Sequence, residues 1–444
     1  MNNSAISILG GGPAGLAVGY FARKQQLPFQ IFEAGARTGG NCVTVKHGDF
    51  RFDSGAHRFH DKSGEITDEF LRLMGKEMKK IHVPSQIYHQ GAFIDFPLTP
   101  LDLFKKLGAK TFLKAALKLG VSRFLPTNKD GSNFRDIALS SYGPVIAEKF
   151  LLDYSKKLWG TETSDLSPEV AGKRLNGLDL RTFLVEALFG RQAKTTHVDG
   201  SFYYPEQGIG QMMERLVEFC GKDHIAVNSR ITKVFHDNGQ IHSIEINHKE
   251  QLSVDRVVST LPISLLIQLM DPLPPQEILN VARQLRFQHL LLVAFFLDKP
   301  KVSGNASIYF PDKEFLFTRI VEPSRRSEKL SPKGKTSLVC EIPCPENSTL
   351  WKEDENELIG KVKKQLLSTK LIRDDEIIGQ TTYPIPFAYP VLDIRYKERV
   401  SELMNYLNSF KNLHLSGRNG RFQYSHIHDQ MQFGKDIVEG LVSK

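Results

Sequence analysis

Cysteine is scarce in this chain: four residues in 444, at Cys42, Cys220, Cys340 and Cys344. So few, so widely spread, exclude a disulfide-stapled scaffold, and the Cys340–Cys344 spacing lacks the histidines of a zinc pattern. No run of about 18 uncharged apolar residues occurs, which excludes a membrane-spanning helix. A strand-like segment already begins at Ile6, leaving no room for a secretory leader, so the cytoplasm is the expected compartment. Neither sign of charge dominates. Fifty-eight Lys and Arg stand against 50 Asp and Glu, a net charge of +8 spread along the chain rather than gathered in a tail. No nucleic-acid partner is expected from that distribution, whereas a small anionic substrate fits it. Also missing are a Ser/His/Asp set, a metal-ligand cluster and a paired acid–base constellation, so no catalytic side chain is nominated.

What is present starts at Ile6, with ISILGGGPAGLAVGYFARKQQLPFQIFEAGARTGG. Ile6–Leu9 reads as a strand, Leu16–Lys24 as a helix and Phe29–Phe32 as a second strand. Between them Gly10, Gly12 and Gly15 form G-x-G-x-x-G, with Pro13 and Ala14 inside it. Gly10 permits the tight turn, Gly12 a close approach to a pyrophosphate, and Gly15 the packing of helix on strand. The helix N-terminus offers free N–H groups and a partial positive charge to phosphates. Glu33, eighteen residues past Gly15, is placed to accept hydrogen bonds from ribose hydroxyls and disfavours a 2′-phosphate. Strand, glycines, helix, strand and acid at this spacing predict a dinucleotide site.

The continuation Ala34, Arg37, Gly39, Gly40 and Asn41 contains R-x-G-G, which resembles the longer fingerprint of glutathione-reductase-like FAD enzymes. FAD is therefore the expected cofactor, ahead of NAD. Val43–Lys46 and Phe50–Asp53 follow as paired short strands around His47-Gly48-Asp49, and Ser54 to His60 then crowds two histidines and an arginine around Gly55. By residue type that segment is either a surface polar turn or a loop beside a planar ring. The run D-x-G-x-H-R-F-H resembles the segment after the FAD fingerprint in the amine oxidase and protoporphyrinogen oxidase superfamily, and a similar one in UDP-galactopyranose mutases. The resemblance makes Gly55, Ala56, His57 and Arg58 flavin-side residues.

Further on, Met78–Phe96 reads as a hairpin turning at Gln90-Gly91. Pro97–Pro126 is basic and amphipathic, an ordinary helix pair with peripheral membrane contact as the lesser alternative. Tyr154–Arg174 carries Y-x-x-K-x-W-G and then S-x-x-x-A-x-x-R. It resembles both groups, and by that resemblance Lys157, Trp159 and Arg174 are substrate contacts; a core tryptophan is the plain alternative for Trp159. In Ser201–Glu214, Gly208 and Gly210 lack a third glycine, so no second nucleotide fingerprint is read there, and Tyr203 is expected to face the substrate. Val254–Pro262 matches the superfamily's V-x-S-T-x-P, with Ser259 and Thr260 near FAD, while Ile231 is implied to hold the adenine end through its backbone. The strand Arg286–Leu297 offers Gln288 and His289 where amine oxidases carry a lysine, which puts amine oxidation in doubt. Tyr389 resembles a substrate-facing position in Y-P-V-x-D, or is a packing tyrosine. A strand at Leu413–Ser416, then Gly417-Arg418, then Asp429, Gln430 and Met431 opening a helix, resembles the superfamily's last FAD motif. No cysteine stands where some members anchor flavin, so FAD is expected to bind non-covalently.

The expected fold is α/β with a discontinuous glutathione-reductase-like Rossmann domain (1–76, 201–265 and 410–444). An α+β substrate domain (77–200 and 266–409) combines helices with an antiparallel sheet. The expected activity is hydride transfer to flavin N5 from a small anionic or sugar-linked substrate. The alternatives are a mutase-like nucleotide-sugar isomerase that uses reduced FAD, and a non-catalytic FAD-binding protein.

Overall fold

A computed structural model describes residues 5–61, 64–96, 105–106, 108, 133–170, 201–345 and 347–443. Arg174 and nearly all of the basic stretch 97–126 lie outside the described residues. The first apolar segments form the centre of a five-stranded parallel sheet: β1 (Ile6–Leu9), β2 (Phe29–Phe32), β9 (Ile225–Ala226), β13 (Arg256–Ser259) and β20 (Leu413–Leu415), in the order β20-β13-β1-β2-β9. Strands from three distant parts of the chain thus lie side by side, in register Leu9–Phe32, Leu9–Ser259 and Ser259–Leu415. Every β1 residue is buried, as expected for a parallel strand covered on both faces. Helix α1 (Pro13–Lys24) packs on this sheet beside the C-terminal helix Ile427–Val442. Their contact is close because Gly434 lies on Ala17, where a Cβ would come within 2.9 Å of the Ala17 Cβ.

A four-stranded sheet of β10 (Ile231–Asp237), β11 (Gln240–Ile246), β12 (Glu250–Ser253) and β14 (Met270–Asp271) takes its first three strands from the chain between β9 and β13 and its fourth from the chain after β13. Two hydrogen bonds, Asn228 N–H to the Gly35 carbonyl and Ser229 N–H to the Glu33 carbonyl, each 2.8 Å, fasten the segment before β10 alongside the end of β2.

The third sheet has seven strands: β6 (Ser85–His89), β7 (Ala92–Phe96), β15 (Phe287–Leu297), β16 (Ser307–Tyr309), β17 (Arg319–Val321), β18 (Thr336–Pro345) and β19 (Ile377–Pro390), in the order β19-β15-β18-β17-β16-β6-β7. All eleven residues of β15 are buried, because both faces are covered. One face carries Leu291, Val293 and Phe295 against Leu358, Val362 and Leu366 of the helix Glu355–Ser368. The opposite face carries Leu290, Leu292 and Phe296 against Phe50 and Phe52 of the small hairpin β3 (Thr44–His47) and β4 (Phe50–Asp53). On its other side that hairpin is tied to the start of the helix Gly210–Cys220, Gly210 N–H donating to Thr44 Oγ1 and Ile209 N–H to Asp53 Oδ1, both at 2.9 Å.

One expectation needs correction. Met78–Phe96 is not a single hairpin. β6 and β7 do turn at Gln90-Gly91, but β5 (Met78–His82) pairs with β8 (Ser201–Pro205), 119 residues further on between His82 and Ser201. β5 and β8 form a two-stranded ribbon of their own, while β6 and β7 join the edge of the seven-stranded sheet.

Candidate active site

The nucleotide half of the site is built from absent side chains. Gly10 has φ +106°, and a Cβ there would lie 2.3 Å from Thr260 Oγ1. At Gly15 a Cβ would lie 1.9 Å from the Gly10 carbonyl oxygen, so the first turn of α1 can sit on β1 only with glycine. Gly12 and Gly40 face each other, a Cβ on Gly40 reaching 3.1 Å from the Gly12 Cα, and Gly417 closes the same bay against Ala14. The N-cap of α1 is Gly12, which brings no side chain to the first N–H groups; those donors are left for an anion. Glu33 is already oriented: its Oε2 accepts from Gly11 N–H and its Oε1 from Gly35 N–H, both at 2.8 Å. Gly39 N–H donates to the Gly11 carbonyl at 2.8 Å. Arg37 holds the next turn through the Thr38 and Gly40 carbonyls, each at 3.2 Å. Along the sheet's upper edge, Ser259 Oγ and Ser416 Oγ are buried with no protein partner. A bay without Cβ atoms, an uncapped helix, an aligned carboxylate and two unpaired hydroxyls fit an extended dinucleotide.

Next to this bay lies the Ser54–His60 segment. His57 Nε2–H donates to the Asn41 carbonyl at 3.0 Å, and Arg326 Nη1 donates to the His57 carbonyl at 3.1 Å. Burial, reinforced by the positive charges of Arg418 and Arg326, pushes His57 from 6.5 down to about 3. The imidazole is therefore neutral at physiological pH. The unfolded chain takes up a proton near pH 6.5 that the folded chain accepts only near pH 3, so this residue withdraws stability as pH falls through that interval. Thermal melts of the FAD-free protein are expected to show that acid limb, and His57→Gln to flatten it. A limb unchanged in the variant would assign the acid sensitivity to another group. Asp53 lies beneath, accepting from Thr44 Oγ1 at 2.7 Å, Ile209 N–H at 2.9 Å and the Tyr204 hydroxyl.

Opposite stands a wall made by strand register. Tyr309, Arg319 and Glu341 are direct cross-strand neighbours on β16, β17 and β18, and the row continues through Leu292 to Tyr383. Residues in one such row point to one face. The face is the one turned to the nucleotide bay, since the Tyr383 hydroxyl accepts from Arg37 Nη2 at 2.5 Å. Glu341 binds Arg319 at Nε (2.7 Å) and Nη2 (2.5 Å), and their side chains are 3% and 16% exposed. Burial opposes the Arg319 charge, but Glu341 outweighs it and the guanidinium stays protonated. Its centre lies 5.7 Å from the Tyr309 ring, and Tyr309 meets Tyr154 at 6.2 Å. Alongside, Trp159, Tyr389 and Tyr424 form a triangle with ring separations of 6.0, 6.1 and 6.2 Å. Burial and the nearby Glu341 push Tyr389 up to about 12, so it is a neutral phenol at any physiological pH. An aromatic wall holding one fixed cation suits a ring-bearing anion.

The family model for flavin-containing amine oxidoreductases matches residues 14–379. The chain belongs to that family. A tobacco (Nicotiana tabacum) mitochondrial protoporphyrinogen oxidase is 26% identical over 117 residues, a match spanning 26% of this chain and 22% of the tobacco protein. Among solved structures, a reduced UDP-galactopyranose mutase superposes with a TM-score of 0.88 at 19% identity, covering 99% of this chain and 96% of that one. A protoporphyrinogen-oxidase-like protein from Exiguobacterium sp. 255-15 gives 0.78 at 19% identity, with 99% of both chains covered. This family member is an FAD-dependent protein, and the glycine bay, Glu33 and the uncapped end of α1 are the residues that would hold the FAD.

Within the family member, the expected cofactor residues Gly10, Gly12, Pro13, Ala14, Gly15, Gly40, Thr260 and Gly417 converge on one bay, with Glu33 bound to Gly11 and followed by Ala34; Ile231 opens β10 two residues past Ser229, whose N–H donates to the Glu33 carbonyl. Asn41, Gly55, Ala56 and His57 border the near end. Arg58 turns aside, donating to Ser85 Oγ at 3.0 Å and resting 5.2 Å from the Phe202 ring centre. Arg418 is committed to carbonyls, those of Ser425 (2.6 and 3.0 Å) and Ala388 (3.1 Å), and leans on Tyr389 and Tyr424. At the start of the C-terminal helix, burial works against ionisation of Asp429. The His428 hydrogen bond and the His426 N–H outweigh it and hold the carboxyl at about 2. Gln430 Nε2 donates to Ser425 Oγ at 2.5 Å, while Met431 is 1% exposed in the core behind.

Two expected substrate contacts are corrected. Lys157 Nζ donates to four carbonyls, of Phe310 (2.7 Å), Asp312 (3.0 Å), Phe315 (3.1 Å) and Phe317 (3.0 Å). An ammonium has three N–H groups, so none is left over; Lys157 pins the loop between β16 and β17. Tyr203 lies on the wrong face of β8. Phe202 and Tyr204 face Arg58 and Arg326, and the alternation of the strand turns Tyr203 toward Lys80 instead. Arg319, Glu341 and Tyr309 were missed, because only cross-strand pairing makes them neighbours. Tyr154 did carry a signal, as the first residue of Y-x-x-K-x-W-G.

Proposed function

We propose that this flavoprotein acts on a small anionic, sugar-linked substrate bound against the Tyr309–Arg319–Glu341 row, with its reacting carbon toward the His57 side of the cleft. The observation that supports this most is Arg319, a permanent cation fixed by Glu341 and surrounded by Tyr154, Tyr309 and Tyr389. When bound, FAD supplies the hydride acceptor for oxidation of that carbon. The chain's own residues bind and orient. Arg319 holds the anion, and the Trp159–Tyr389–Tyr424 rings offer faces on which a sugar or base stacks. Neutral His57 and the tyrosines polarise without competing for charge. General acid–base work is not assigned to a side chain of this site.

A second reading is isomerisation of a nucleotide sugar without net redox. It is supported by the same ring-and-cation wall and by the whole-length likeness to the mutase. Purified protein, oxidised or dithionite-reduced, incubated anaerobically with UDP-galactopyranose, separates the two. Under the oxidation reading the sugar is left unchanged by reduced enzyme, and the search moves to other sugar-linked anions that bleach the oxidised flavin. Ring-contracted sugar formed by the reduced enzyme alone would overturn net oxidation in favour of isomerisation.

A further inference from the structure

Arg326 is not used by anything above except as a prop. It is 4% exposed; Nη1 donates to the His57 carbonyl at 3.1 Å, and the guanidinium lies over the Tyr204 ring, 5.6 Å from its centre. Its Nε and Nη2 are buried without a protein partner. Glu341 is 2% exposed, and while Oε2 binds Arg319, Oε1 is likewise buried without a protein partner. Both residues line one small cavity, together with Asp53, Gly55, Tyr204 and Val339. The space within it open to the centre of a water molecule is about 10 Å³, which is room for one. Buried guanidinium N–H groups and buried carboxylate oxygens are nearly always paired, with protein or with an ordered molecule. Here donors and an acceptor of opposite charge border the same opening. A single water accepts from Arg326 and donates to Glu341, whereas an anion would meet the carboxylates of Glu341 and Asp53.

We infer that this cavity is a built water site joining Arg326 to Glu341, so that Arg319, Glu341, the water, Arg326 and the His57 carbonyl form one continuous relay. The relay connects the cationic wall to the Gly55–His57 segment across the cleft. Glu341 and Arg326 are positioning residues in it: Glu341 sets the angle of Arg319, and Arg326 sets the height of the His57 carbonyl. An anion drawing on Arg319 changes what Glu341 offers the water, and through Arg326 the tension on the segment that borders FAD. The substrate end rests on the function proposed above; the water and the His57 end do not.

The test has two arms. A crystal structure of the FAD-loaded protein, at a resolution that shows ordered solvent, is expected to show one water within hydrogen-bond distance of both Arg326 and Glu341. An empty cavity, or Arg326 N–H groups donating directly to the flavin, would overturn the relay. In solution, FAD dissociation constants are measured by flavin fluorescence for Arg326→Gln, Glu341→Gln and the double variant. Each single change is expected to weaken FAD binding by roughly threefold to tenfold, although Glu341 lies across the cavity, and the double variant to be no weaker than the worse single one. Independent effects that multiply, or a Glu341→Gln protein that binds FAD normally, would sink the coupling. Should Arg326→Gln not fold, the crystal arm and the Glu341→Gln constant still decide. These outcomes do not depend on whether any sugar-linked anion is a substrate.

Discussion

Gly15→Ala is expected to give a colourless protein. Its new Cβ would stand 1.9 Å from the Gly10 carbonyl oxygen, and neither side can give way. Gly10 is held by its N–H bond to the Phe32 carbonyl at 2.8 Å and by its own φ of +106°. Helix α1 must then lift off β1, and lifting it opens the Gly12–Gly40 bay and moves the helix N-terminus away from the phosphates it would hold. A forced overlap in a close-packed layer costs about 3 kcal/mol or more. Both flavin absorbance after purification and the melting temperature should fall. Gly440→Ala, where a Cβ meets nothing within 4 Å, is the control and should leave both unchanged. A fully yellow Gly15→Ala protein would mean that α1 can shift without cost.

Arg319→Gln carries the second large effect, and it separates binding from cofactor retention. FAD should remain, weakened by no more than the roughly threefold to tenfold expected for Glu341→Gln, because Arg319 acts on the glycine bay only through Glu341. Affinity for a sugar-linked anion such as UDP-galactopyranose, read as a flavin absorbance change, should fall roughly 100-fold, as expected when a charge-assisted pair is lost from a desolvated site. Stability should also drop by about 3 kcal/mol, because Glu341, 3% exposed, is left as an unpaired buried carboxylate. Arg319→Met with Glu341→Leu resolves the two effects: stability should return while affinity stays lost. An Arg319→Gln protein that binds the anion normally would remove this wall from the substrate site.

Legibility in the sequence followed the range of the interaction. The nucleotide bay is written locally: Gly10, Gly12, Gly15 and Glu33 lie within one strand–helix–strand unit, and each acts through its own backbone freedom or charge. The Y-x-x-K-x-W-G signature lies on one helix, but its side chains part company. Lys157 and Trp159 are two positions apart, so one turns to the β16–β17 loop while the other joins the Tyr389–Tyr424 rings. Tyr203 failed for a related reason, since a one-residue difference on a strand is a difference of face. The prolines at 384, 386 and 390 sit within β19 because that strand is at the sheet edge, where a missing N–H is tolerated.

The sequence by itself determined the cofactor class and the parallel-sheet fold, because steric permission at a glycine and charge at a strand end are properties of single residues in short register. Only the tertiary structure decided what faces the cofactor. Tyr309, Arg319 and Glu341 span 33 residues of chain and become one surface only when three antiparallel strands pair. Arg326 reaches the His57 carbonyl only because the large sheet is pressed onto the β3–β4 hairpin. Packing then gives those groups their chemistry: burial holds His57 neutral, and the neighbouring Glu341 keeps Arg319 charged against its own burial.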